Sequence, residues 1–251
     1  MEKSRNYLIT MIISTLMATS GLDIYAESPN KKIVYNAFIS REMYKWANVI
    51  HTIEISTGTK TLEQKLELID YYYGYAAYLI GKKQDDQALK YIDKGEKAIN
   101  SFLKSSPNNA SAFAYKGAFI GFRIGISKFK AIYLGPESVS LINKAYELEP
   151  KNVQAIIDKG NILYYSPGIF GGDKIEALDF YKKAARLLEI NNETDQSWTY
   201  LNLLTVIALA YEKTDQQALA KLTYEKILRK EPDFYWVKVD LFPKFMDKYR
   251  L

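Results

Sequence analysis

The sequence contains no cysteine and a single histidine, His51. The first absence removes disulfides, thiol nucleophiles, Cys-ligated zinc and an N-terminal lipid-bearing Cys. The second removes the usual His-based metal sites and His-activated dyads, which need a further imidazole or a nucleophile beside the first. Carboxylate pairs such as Asp85-Asp86 and Glu147/Glu149 stand at helix starts or on solvated faces. No constellation of acid, base and nucleophile emerges, so the chain is expected not to be an enzyme, to hold no metal and to need no cofactor. Basic residues are plentiful yet dispersed. The net charge is +5, but no run of five or six Lys or Arg marks a nucleic-acid arm, and no nucleic-acid partner is expected. No apolar run is long enough to make a confident membrane-spanning helix, so none is expected in the mature chain.

What is present first is an export pattern. Lys3 and Arg5 precede an apolar run from Tyr7 to Leu16 that is interrupted by Thr and Ser, and Ala26 offers a small residue at a cleavage point. Residues 1–26 are expected to be a signal peptide cleaved after Ala26, giving a periplasmic protein. An exported chain without disulfides suits a bacterial envelope better than a eukaryotic secretory route.

The remainder is organised by helical hairpins. In the stretch Leu201–Asp233, Leu204, Ile207, Ala208 and Tyr211 share one face of a first helix. A second helix carries Ala220, Tyr224 and Ile227, and Pro232 ends it. A small residue lets the helices approach closely, and the tyrosines fill the space between them. At 34-residue spacing this pattern resembles the tetratricopeptide repeat (TPR) family. The resemblance implies an all-α fold: a right-handed superhelical solenoid of about four hairpins with capping helices, serving as a scaffold or binding protein.

Three earlier units repeat the pattern. The first has Tyr72, Tyr75, Ala76 and Leu79, then Ala88, Ile92 and Gly95; the second has Phe113, Gly117 and Ile120, then Ser138, Ile142 and Ala145. The third has Ile156, Gly160 and Leu163, then Ala177, Tyr181 and Ala184. The expected domains are thus the signal (1–26), a linker and capping helix (27–61), the repeats (62–233) and a C-terminal capping helix (234–251). Within the second of these, Tyr35 to Ile55 reads as one amphipathic helix after a flexible polar start.

Two insertions depart from the repeat pattern, Arg123–Gly135 and Ser166–Asp173. In the first, Ile126, Phe129, Ile132 and Tyr133 suggest an extended helix or packed turn, with Pro136 opening the next helix. In the second, Asp173 and Glu176 read as a capping box behind a glycine pair that permits positive φ. No GxxxxGK[ST] pattern and no preceding strand supports a nucleotide loop. Pro167, Gly171, Gly172, Asp173 and Ala177 together resemble the TPR-like T component of tripartite (TRAP) transporters. That narrower resemblance implies a periplasmic accessory working beside a solute-binding protein.

The candidate site follows from the TPR arrangement, in which the first helix of each hairpin lines a concave surface. The positions one residue beyond the core are Tyr73, Ala77, Ala114, Ala118, Phe122, Ile157, Asn161, Tyr164 and Tyr165, with Thr205 and Leu209 further along. This surface is aromatic and nearly uncharged, suited to a protein or peptide partner, or to a hydrophobic small molecule. Only Asn161 matches the Lys and Asn groove positions of chaperone-tail TPR clamps, so that ligand is not expected.

Overall fold

The structure is a computed structural model that describes residues 28–250; the expected signal peptide and its cleavage point lie outside them. Eleven α-helices are found among the described residues, and no strand. They are α1 (Pro29–Ser40), α2 (Met43–Ile55), α3 (Leu62–Gly81), α4 (Asp85–Ser105), α5 (Ala110–Ile126) and α6 (Ala131–Leu148). There follow α7 (Val153–Tyr165), α8 (Lys174–Ile190), α9 (Trp198–Lys213), α10 (Gln217–Lys230) and α11 (Phe242–Tyr249). Helices α3 to α10 form four hairpins, each second helix also packing on the first helix of the next. The chain is a helical repeat solenoid.

The helix starts are written locally. Thr61 accepts from the Gln64 N–H while the Gln64 side chain accepts from the Thr61 N–H, a complete capping box. Asn109, Asn152 and Ser197 cap α5, α7 and α9 in the same sense, through the amides of Ala112, Ala155 and Tyr200. Every first helix of a hairpin therefore begins on a side-chain cap. Of the second helices only α8 does, through Asp173.

The repeat positions make the core. Ala76, Ala88, Ile92, Ile142, Ala145, Ile156, Ala177, Tyr181, Ala184, Ala208, Ala220, Tyr224 and Ile227 are all buried. Tyr75, Leu163 and Tyr211 are half-buried at its edge. Each large side chain withdrawn from water in this way contributes about 1.5–3 kcal/mol. Close approach is set by the small residues: a Cβ on Gly160 would stand 2.6 Å from the Tyr181 ring.

Three local expectations are corrected. The N-terminal segment is two helices, not one from Tyr35 to Ile55, and its first helix begins at Pro29. The break falls at Arg41, in the left-handed region at φ 65. Folding back there lets α1 reach α9, with the Phe38 ring 6.1 Å from Trp198 and 5.0 Å from Phe234.

In the second hairpin, α6 starts at Ala131 and runs through Pro136 rather than starting on it. The insertion is an extra turn on each helix. Ala88, Ala177 and Ala220 stand three residues after their helix starts, whereas Ser138 stands seven after its own; α5 likewise runs six residues beyond Ile120, against two beyond Leu79 in α3. Pro136 forgoes the bond to the Ile132 carbonyl, a cost borne on an exposed overhang.

The third correction concerns Asp173. Its carboxylate caps α8 through the amides of Ile175 and Glu176. Its own N–H donates to the Leu163 carbonyl rather than to Glu176, so the second half of the box is replaced by a backbone bond to α7. Gly171 sits at φ 82, and Gly172 passes so close to the Ser166 carbonyl that a side chain would collide with it. Both glycines are accounted for by the backbone path.

Candidate functional site

The first helices of successive hairpins pack side by side, α3 on α5 and α5 on α7. Tyr73 on α3 is half-buried at the first of these contacts. Its ring stacks on Phe122 of α5 at 5.0 Å and 14°, and meets Tyr115 and Phe119 edge-on at 5.4 and 6.2 Å. At the far end of α7, Tyr164 packs edge-on against Tyr165 at 4.9 Å and lies 6.2 Å from Tyr181. These contacts make two aromatic groups, one between α3 and α5 and one at the end of α7.

Behind the aromatic rings lies a polar layer. One turn before Tyr73, Asp70 accepts from the Tyr115 hydroxyl at 2.7 Å and from the Trp198 indole N–H at 3.0 Å. On α7, Gln154 and Asn161 donate their amide N–H groups to the two oxygens of Asp158, at 2.8 and 3.0 Å. The Tyr181 hydroxyl then donates to the Asn161 carbonyl oxygen at 2.9 Å. Asp158 is only 1% exposed. Burial pushes its carboxyl up to about 7, against the pull of the two amides. Burial also pushes Asp70 up to about 6, its two donors again opposing and Glu67 adding to the rise. Tyr73 and Tyr115 are raised well above the usual phenol value, first by burial and then by these carboxylates.

Buried carboxyls with raised pKa values are a common mark of acid–base sites. Here both oxygens of each are held by neighbouring side chains, which is the arrangement of a structural link. Sequence reasoning did not single out Asp70, Gln154 or Asp158. The signal was present: Gln154, Asp158 and Asn161 share one face of α7 at spacings of four and three, and Asp70 precedes Tyr73 by three.

The expected groove residues divide by burial. Ala77 and Tyr165 are exposed; Tyr73, Phe122, Ile157, Asn161, Tyr164 and Leu209 are half-buried. Ala114, Ala118 and Thr205 are buried, at 0%, 7% and 0% exposure. Ala114 belongs to a small cluster with Phe113, Ala145 and Ala155, where the second and third hairpins meet. The Thr205 hydroxyl donates to the Leu201 carbonyl within its own helix. These three are covered by the packing of the helices themselves.

The structure is similar to that of TTC0263, a thermophilic TPR protein from Thermus thermophilus. The TM-score is 0.52, with 12% identity over 88% of this chain and all of that one. The fold is of the tetratricopeptide type. The structure is also similar to that of the HusA haemophore from Porphyromonas gingivalis, with a TM-score of 0.52 and 18% identity over 76% of this chain and 95% of that one. No protein-family model matches the sequence, and no curated protein matches it significantly.

In this tetratricopeptide fold the first helices carry aromatic rings beside buried, hydrogen-bonded carboxylates. No group of three or more metal-ligating carboxylate or imidazole side chains converges among the described residues. None of the described helices is long and apolar enough to cross a membrane.

Proposed function

We propose that the protein is a cell-envelope scaffold that holds a protein segment or peptide against the aromatic part of its concave face. The observation that carries this reading is the pair of aromatic groups, Tyr73–Phe122 and Tyr164–Tyr165, carried on the first helices of three successive hairpins. Rings held by a preformed stack lose little freedom on association, so an extended or helical segment would be gripped at fixed spacing without reorganising the wall. The export pattern of the first 26 residues supports a periplasmic setting.

A second reading, a transport accessory that binds a hydrophobic solute, is favoured by the similarity to a haemophore and by the glycine-pair loop Pro167–Asp173. The two differ in what is retained. A peptide leaves the groove lined by a partner chain, whereas a solute would be enclosed by Tyr164, Tyr165 and their neighbours alone.

The test is capture from envelope extract by the full-length protein, with the protein and small-molecule fractions both analysed by mass spectrometry. Tyr165→Ala is the informative variant because the side chain is 74% exposed and its loss leaves the core intact. One protein enriched by the wild type and lost at least tenfold in the variant, with an unchanged melting temperature, supports the scaffold. A stoichiometric small molecule lost in the same variant supports the accessory. Undiminished capture by Tyr165→Ala overturns the groove as the binding surface.

A further inference from the structure

The connections within the hairpins all lie along one edge of the solenoid, and the connections between hairpins lie along the other, because the first helices stack side by side in the same direction. The six most exposed large apolar side chains among the described residues all belong to the first of these edges. They are Ile169 (88%), Phe129 (84%), Ile132 (79%), Phe170 (75%), Tyr165 (74%) and Tyr133 (70%). Five of them ride on the two insertions. Each insertion contains a short 3₁₀ turn, Lys128–Lys130 or Gly168–Phe170, which presents its side chains outward. The overhanging turn of α5 and α6 carries Phe129, Ile132 and Tyr133 beyond the level of the neighbouring hairpins by about 6 Å, one helical turn.

Charge at the tip of the second hairpin is basic: Lys128 and Lys130 flank Phe129 with no carboxylate in residues 127–130, whereas Lys82 and Lys83 of the first hairpin stand beside Asp85 and Asp86. In the third hairpin the one carboxylate of the loop, Asp173, is occupied in capping α8. The connections on the opposite edge, residues 106–109, 149–152, 191–197 and 231–235, hold one lysine against five carboxylates. Lys174 adds a further cation beside the second loop, where Glu176 is its neighbour.

We infer that this edge docks on a lipid bilayer with anionic headgroups. The loop tips of the second and third hairpins would enter the interface, and the flanking lysines would face the headgroups. Isolated apolar side chains projecting from tight turns, rimmed by Lys, match the layered chemistry of a bilayer surface, apolar beneath and anionic above. A second copy of the chain meeting the same edge would bring the same lysines face to face, and the carboxylates of the opposite edge would turn any bilayer contact away from that side. The groove reading shares only Tyr165 with this edge, and the variants below leave that residue in place, so the two readings fail separately.

The experiment is vesicle co-sedimentation of the full chain, comparing the wild type with the triple variant Phe129→Ser, Ile132→Ser, Phe170→Ser. The N-terminal apolar segment is common to both proteins, so the difference reports the loops. Vesicles of phosphatidylcholine alone are set against vesicles with 30% phosphatidylglycerol. Binding of the wild type to the anionic vesicles should be at least tenfold stronger than to the neutral ones and should fall in 0.5 M salt. The triple variant should lose at least tenfold in affinity while keeping its melting temperature. Lys128→Glu with Lys130→Glu should lose binding to the anionic vesicles alone. Equal binding of wild type and triple variant, or no preference for anionic vesicles, overturns the inference. So does a dimer in lipid-free solution that the triple variant abolishes, which would assign the edge to a second copy.

Discussion

The indole N–H of Trp198 donates to the carboxylate of Asp70 over 3.0 Å, joining the first residue of α9 to the middle of α3 across 128 positions of sequence. The same indole lies 5.1 Å from the Trp46 ring, and both rings pack on Gly74, where an added Cβ would stand 2.6 and 2.9 Å away. The first and last hairpins are thereby tied together, with α1 and α2 folded over the junction.

Trp198→Phe keeps most of the ring packing but removes one of the two donors to a buried carboxylate. It should cost about 1–3 kcal/mol, the range for leaving a buried group without its partner. Urea unfolding followed by circular dichroism measures this. In a double-mutant cycle with Asp70→Asn the two effects should fail to add. Full additivity would remove the link from the account of stability.

Stability should also fall as pH rises toward neutrality. In the unfolded chain Asp158 titrates near 3.8, and in the fold at about 7, so between these values the native state binds more protons. Native states that hold extra protons lose stability with rising pH, and the loss is complete above the folded value. Asp70 contributes in the same direction, from 3.8 to about 6. For Asp158 alone this corresponds to a loss on the order of 4 kcal/mol. The melting temperature is expected to be higher at pH 5.5 than at pH 8. Asp158→Asn should flatten the dependence by raising stability at pH 8, with Gln154 turning its amide over to present its oxygen.

Glycine substitutions on the first helices should divide by contact. Gly160→Ala drives a methyl into the Tyr181 ring at 2.6 Å and should cost about 1–3 kcal/mol. Gly125→Ala on the overhang of α5 meets nothing within 4 Å and should stabilise by about 0.4–1 kcal/mol, by restricting the unfolded chain. Thermal melts of the two variants should move in opposite directions.

The start of α8 offers a test of the cap as it is built. Asp173→Ala removes the acceptor for two helix N–H groups and should cost about 1 kcal/mol. Glu176→Ala, which a capping box would make equally harmful, should stay within about 0.5 kcal/mol as an exposed substitution. Equal losses from the two would restore the box.

The helical frame was legible in the sequence because its causes are local. The spacing of Ala88, Ala177 and Ala220 against Tyr181 and Tyr224 reports which helix faces must meet, and Thr61, Asn109, Asn152 and Ser197 mark where helices begin. Asp173 was legible as a cap, yet its partner was not, since the Leu163 carbonyl that takes its N–H belongs to another helix.

Tertiary structure alone decided which helices meet. Contacts between distant segments set Trp198 against Asp70, bury Ala114 against Ala145 and Ala155, and bring α1 back onto α9. Packing also raises the carboxyls of Asp70 and Asp158, because desolvation depends on everything packed around a group. Periodicity fixes which face of a helix is apolar; only the packed stack decides what that face meets.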